Sequence, residues 1–285
     1  MKFHQPGAAV YIPDGVSTEA ACGRTTHLAV GAHQDDLEFM AFHGILECFH
    51  HVDGRWFTGV TCTNGAGSAR TGHYGAYTDE QMRTVRKVEQ NQAAFVGRYS
   101  AMFQLDHPSS VVKNAKDTML ADDLFAILDA TRPSVVYTHN LADKHDTHIG
   151  VVIPLIQAIR RMPREQRPAK VYGCEVWRAL DWMDDAQKVA LDVSGYDNLA
   201  AAVNGVFDSQ IAGGKRYDLA VIGRRRANAT FFASHGTDKS DQITYAMDIT
   251  AAAVDDAVDI VDFTLGHIDR FRDDVRAKLS ARLGR

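Results

Sequence analysis

The alternation of short apolar runs with longer amphipathic stretches constrains this chain more than any other feature. Residues 27–32 (HLAVGA) form an apolar run of strand length. Residues 37–49 then place Phe39, Phe42, Leu46 and Phe49 at helical spacing. Residues 56–62, 101–105, 134–138 and 170–177 read as four further strands. Helices are expected between them. One is capped by Thr78 with Gln81 and runs to about Val96; one spans 119–130 and stops before Pro133; one spans 149–161 despite Pro154. Strands separated by helices require right-handed crossovers, which build a parallel sheet. The expectation is an α/β, doubly wound fold with a mainly parallel sheet and helices on both faces.

The last third is less regular. Residues 199–210 read as helical and 218–223 as an extra strand. Residues 251–283 carry Val254, Val258, Val261, Leu265, Ile268, Val275 and Leu279 as one apolar stripe on a long C-terminal helix. That stripe either packs on the parent domain, the reading preferred here, or forms a contact in a homo-oligomer. One domain over 1–285 is expected, with a core at about 25–215 and a C-terminal extension at about 216–285.

Lys plus Arg number 31 and Asp plus Glu 36, a net charge of −5. Bulk charge therefore does not hold this chain to nucleic acid or anionic lipid. No apolar run reaches the roughly eighteen residues of a membrane span, and residues 1–15 lack the apolar centre of a signal peptide. The cysteines are Cys22, Cys48, Cys62 and Cys174, with no C-x-x-C pair, which excludes a thiolate zinc cluster and argues against a disulfide scaffold. A soluble, reduced, cytoplasmic protein is expected.

Two clusters carry chemistry. Directly after the first predicted strand comes Ala32-His33-Gln34-Asp35-Asp36-Leu37-Glu38. Its acids suit a helix N-terminus, so capping explains them as well as chemistry does. The chemical reading turns His33 and Asp36 to one spot as zinc ligands and leaves Asp35 free to take a proton from water. After the fourth strand comes His139-Asn140-Leu141-Ala142-Asp143-Lys144-His145-Asp146-Thr147-His148. In a 3-2-1-4-5 strand order, strands one and four are neighbours at the switch point where such folds bind ligands. His33, Asp36 and His148 can then meet, and three ligands leave an open position for water.

At this point the residues resemble a known family. A-H-Q-D-D-L-E followed by H-D-T-H is similar to the A-H-P-D-D-x-E and H-P-D-H patterns of the PIG-L/LmbE-like N-deacetylases. The Thr61–Gly67 turn, the Arg86-Lys87-Val88-Glu89 segment and the Ser209-Gln210 dipeptide add weaker likenesses. The resemblance implies a Rossmann-like fold, Zn²⁺, and hydrolysis of an N-acetyl group on an amino sugar or glycoconjugate. It implies His33, Asp36 and His148 as metal ligands and Asp35 as general base. It also implies that His145 stabilises the tetrahedral intermediate or protonates the amine, and that Arg86 reaches the substrate. Asn64, Asp106 and His139 are the further residues expected at the substrate. Gln34 stands where the family has proline, and Phe42-His43 where Gly-Gly is common. Thr147 stands where the family has the aspartate that orients the catalytic histidine.

Other residues have two readings. The glycine-rich loop with Asn64, Arg70, His73 and Tyr74 is either a lid or plain surface. Arg224-Arg225-Arg226 is either a phosphate site or a solvated charge run. Trp177 and Trp182 either stack on a sugar or pack in the core. Two other functions stay open. Two His and one carboxylate also describe an Fe(II) oxygenase site, with His33-Gln34-Asp35 as its H-x-D. A non-catalytic sugar-binding protein on the same fold is the other, against which an intact Asp35 argues.

Overall fold

A computed structural model describes residues 1–233 and 235–285. One mixed sheet of eight strands organises them. The strands are β1 (Ala9–Tyr11), β2 (His27–Gly31), β3 (Phe57–Thr63), β4 (Ala101–His107), β5 (Val135–His139), β6 (Lys170–Cys174), β7 (Lys188–Asp192) and β8 (Ile243–Asp248). Their order is β1-β4-β3-β2-β5-β6-β8-β7. The central five, β4 to β6, are all parallel, and β1, β8 and β7 join antiparallel. The five strands read from the sequence are therefore in the 3-2-1-4-5 order, and the α/β expectation holds.

Side-chain alternation assigns the two cores. On β2, Leu28 and Val30 face one cluster and Ala29 faces the other. On β4, Ala101, Phe103 and Leu105 join the first cluster and Met102 the second. The Met119–Thr131 and Asp146–Arg161 helices fill the first. The Phe42–Cys48 and Asp197–Gly205 helices fill the second. A strand with both faces covered needs an unbroken apolar run, which is what residues 27–32 supply.

Several elements differ from expectation. The predicted 37–49 helix is two, Asp36–Met40 and Phe42–Cys48, broken at Ala41. Phe42 and Ile45 are buried in the second piece, and a Cβ on Gly44 would lie 2.6 Å from the Tyr137 ring. Residues 218–223 are not a strand; they belong to the Tyr217–Phe231 helix. The extra strands are β1, at one edge beside β4, and β7 and β8, with β8 inserted between β6 and β7. The C-terminal stripe is also divided. A Thr250–Val254 helix packs on the body, and a separate Ile260–Arg282 helix follows it. On that second helix Val261, Leu265, Val275 and Leu279 are exposed, so the preferred packing of the whole stripe on the parent domain is not what forms. No helix among the described residues is long and apolar enough to cross a membrane.

Candidate metal centre

The sheet changes direction between β2 and β5, which are hydrogen-bonded neighbours. Crossovers leave in opposite directions there, so their loops open a crevice. β2 delivers His33 to Asp36, and β5 delivers His145 to His148. Asp36 opens a short helix and His145 precedes the Asp146–Arg161 helix.

One donor atom each from His33, Asp36 and His148 lies within 4.8 Å of the others. Asp36 Oδ2 is 3.2 Å from His33 Nδ1 and 3.7 Å from His148 Nε2, and it also accepts the His33 backbone N–H at 2.7 Å. Burial opposes charge on Asp36, but His148, His139 and His33 outweigh it and hold the carboxyl well below its usual range. Asp143 sits 3.0 Å from His148 Nδ1. That carboxylate, at ion-pair distance though not aligned as a hydrogen bond, favours a proton on Nδ1 and leaves Nε2 facing Asp36. Two imidazole nitrogens and one carboxylate fit a catalytic zinc with an open position. A second triad, His139, Asp143 and His148, is also close enough for a metal. Its atoms have other partners: Asp143 holds His148, and His139 Nε2 accepts the Ala32 N–H at 2.9 Å.

Asp35 points elsewhere. Its backbone is left-handed, φ 90°, a costly conformation for a residue other than glycine. Its N–H donates to Gln90 Oε1 at 3.1 Å, and Gln90 Nε2 donates to Glu38 Oε1 at 2.9 Å. Tyr99 holds the same Glu38 oxygen at 2.7 Å. The Asp35 carboxylate lies 3.3 Å from Arg86 Nη2. Burial lifts its pKa well above the usual range, Asp36 and Glu38 add to this, and Arg86 opposes it. Adjacent carboxylates with pKa values driven apart are the pattern of an acid–base residue beside a permanently ionised one. The H-x-D alternative fails on this geometry, because Asp36 and not Asp35 clusters with the histidines. The parallel sheet also differs from an oxygenase barrel.

His145 flanks the cluster, its ring centroid 5.3 Å from that of His33 and 4.7 Å from that of His148. Burial, His148 and His33 lower its pKa. Among the described residues, its Nδ1 has no hydrogen-bond partner. Thr147 is buried and Asp146 is exposed, lining a separate groove with Lys113 and Gly150. Asp146 does not replace the family aspartate.

A cavity of about 410 Å³ opens over these groups. Arg86 lines it from the floor, 1% exposed, bonded to the Gln34 carbonyl and 3.4 Å from Gln34 Oε1. Gln34 in turn donates to the Thr63 carbonyl at 3.0 Å, so it ties β3 to Arg86. Asn64, Asp106 and His139 lie outside the lining. Asn64 Oδ1 caps its own turn at Ala66, 3.1 Å away. Asp106 is paired with Arg83, with one bond of 2.8 Å. His139 is fully buried behind the cluster, stacked on His148 at 3.7 Å. The glycine-rich loop is a wall. Gly65, Gly67 and Ser68 line the cavity, and a Cβ on Gly65 (φ +70) would lie 2.5 Å from Gln34 Oε1.

Trp177 is the aromatic wall, 6.2 Å from His145 and near-parallel to it, with Lys144 Nζ 4.9 Å from its ring. Trp182 packs at the edge of the core. The arginine run is structural. Arg224 donates to the carbonyls of Val176 and Trp177, and buried Arg225 to those of Glu38 and Phe39. Burial lowers the Arg225 pKa to about 9. Ser209 donates to both Glu89 oxygens, at 2.7 and 2.6 Å, which brings Gln210 to the cavity. Lys113, Lys215 and Tyr217 also line it; no sequence pattern pointed to them, since each stands in an unremarkable polar stretch.

The family model described as PIG-L, GlcNAc-PI de-N-acetylase, matches residues 28–159, a segment that contains both motifs. Over this segment the chain is similar to the PIG-L family. No curated protein matches the sequence. Solved structures match across most of the chain. N,N′-diacetylchitobiose deacetylase from Pyrococcus horikoshii has a TM-score of 0.59 at 14% identity, over 83% of this chain and 88% of its own. A zinc-inhibited teicoplanin deacetylase has a TM-score of 0.54 at 15% identity, over 79% and 98%. The 4-carboxy-2-hydroxymuconate hydratase of Pseudomonas putida has a TM-score of 0.58 at 18% identity, over 79% and 95%. At these identities the likeness concerns the fold. Because the same fold also matches a hydratase, the reaction has to be argued from the site.

Proposed function

We propose that this chain is a zinc-dependent N-deacetylase acting on an N-acetylated amino sugar or glycoconjugate. The observation that carries the reading is the convergence of His33, Asp36 and His148 beside a buried, proton-accepting Asp35 under a polar cavity. Bound zinc supplies a water of lowered pKa and polarises the acyl carbonyl. Asp35 takes the proton of the attacking water, and its raised pKa suits it to hold that proton until the amine leaves. Arg86 keeps the Asp35 carboxylate turned into the cavity. His145, at the cavity wall, is placed to hydrogen-bond the developing oxyanion or the leaving nitrogen. Asp143 aims His148, and Trp177 offers an aromatic face to a sugar ring.

Lys113 and Lys215 have no carboxylate within ion-pair distance among the described residues. Two unpaired cations at the mouth suit a substrate with an acidic substituent. We place the protein in the cytoplasm, since all four cysteines are buried free thiols. We also treat the chain as one domain, because β8, from beyond residue 216, is hydrogen-bonded between β6 and β7 in the one sheet.

The test is acetate release from a panel of neutral and acidic N-acetylated sugars, with metal content measured and chelated protein as control. Zinc-dependent release supports the reading. Iron in place of zinc, or zinc-loaded protein inert across the panel, overturns it.

A further inference from the structure

The Ile260–Arg282 helix has two apolar faces. One lies on the body, with Thr264 and His267 buried and Ile260 and Phe263 packed against the core. The other is open: Val261 is 63% exposed, Leu265 49%, Ile268 36%, Val275 40% and Leu279 59%. This second face is turned roughly a quarter turn from the first. Its residues recur at alternating four- and three-residue steps, with Arg272 in the one interrupted place. That is the seam spacing of a packed helix pair.

We propose that this face pairs, antiparallel, with the same face of a second copy of the chain. A two-fold axis near residue 270 sets Val261 against the partner's Leu279 and Leu265 against the partner's Val275. Both contacts occur twice by symmetry. One flank of the seam carries Asp262, Asp269 and Arg276 at heptad spacing. The same axis brings Asp262 beside the partner's Arg276, again twice. Asp269 meets the partner's Asp269, but each is neutralised by Arg272 of its own helix at 3.0 Å. On the other flank Phe271, 37% exposed, meets the partner's Phe271. The Arg272 stem covers the partner's Ile268 while its head stays wet. A parallel pair is disfavoured, because it stacks Arg272 on the partner's Arg272 within the seam and forms none of these charge pairs. The sequence is thus complementary to itself in one direction only.

The test is sedimentation equilibrium of the full zinc-loaded chain at concentrations up to ~100 µM, a range that detects weak dimers. The expected mass is twice the 31.4 kDa of one chain. Leu265→Glu with Leu279→Glu should give a monomer with an unchanged circular dichroism spectrum and unchanged acetate release. Asp262→Arg should weaken association at least about tenfold, and adding Arg276→Asp should restore it. A monomeric wild type, a dimer indifferent to the two glutamates, or a charge reversal without rescue overturns the proposal.

Discussion

Replacing Gln90 by leucine tests how the base is held. Gln90 is fully buried and similar in size to leucine, so the cavity left behind is small. Its amide accepts from the Asp35 N–H at 3.1 Å and donates to Glu38 Oε1 at 2.9 Å, an oxygen that keeps Tyr99 as a second donor. An orphaned buried N–H costs about 1–3 kcal/mol, and weakening the Glu38 acceptor brings the total to roughly 2–4 kcal/mol. Asp35 can escape part of that by leaving its positive φ, which relieves about 1–3 kcal/mol of strain. If it does, the carboxylate leaves Arg86 and the cavity, and turnover falls by the ~10²–10⁴-fold of a lost general base. Stability and activity therefore trade against each other, and at least one must drop. The assays are urea unfolding of the metal-free chain and acetate release by the zinc-loaded chain. Zinc content should stay at wild-type level, because none of His33, Asp36 and His148 is bonded to Gln90. A variant within about 0.5 kcal/mol of wild type that also turns over normally would refute the reasoning.

Other outcomes follow from the same geometry. Asp35→Ala and His145→Ala should keep zinc and lose about 10²-fold or more in turnover, whereas His148→Ala should lose zinc as well; full zinc and activity in His148→Ala would remove it from the ligand set. Asp143→Ala should weaken zinc binding by about 10–100-fold in a chelator competition, since nothing then fixes the His148 ring. Glu175 is buried, accepts the Leu180 N–H at 2.9 Å, and has its pKa raised to about 7 by burial. The folded state then holds a proton that the unfolded state releases from about pH 4.5 upward. Its contribution is present below that pH and fades by up to roughly 3 kcal/mol as pH rises to about 7. Glu175→Gln keeps the acceptor and should flatten that part of a stability–pH profile measured by urea unfolding; an unchanged slope would place the titration elsewhere.

Most of the sheet was readable because its central strands are buried on both faces, which forces continuous apolar runs such as residues 27–32 and 134–138. The edge strands are different. β7 (KVALD) and β1 (AVY) are short, half-exposed and free of any pattern that turns could frame. Residues 218–223 misled because a short apolar run has no period long enough to separate strand from helix. The convergence of His33, Asp36 and His148 was legible because the three follow strand ends in fixed motifs. The cavity walls were not. Lys113 and Lys215 reach the site from loops and Tyr217 from the start of a helix, and the reading of Trp177 stayed open because its placement depends on tertiary contacts such as the Arg224 bonds to nearby carbonyls. Asp106 drew attention as a carboxylate at a strand end, but Arg83, one helix away, had the better claim on it.

The Tyr217–Phe231 helix, outside the matched family segment, grips the site from two sides. Arg224 holds the carbonyls beneath the aromatic wall, and Arg225 holds those at the end of the helix that bears Asp36. Neighbouring residues of one rigid rod thus act as the fixed arm of a calliper. The gap between the Trp177 wall and the helix that opens on Asp36 is gauged by the spacing of two arginines, and neither jaw can move without the other. A family member with a different rod at this place would admit a ligand of different width while keeping every catalytic residue the same.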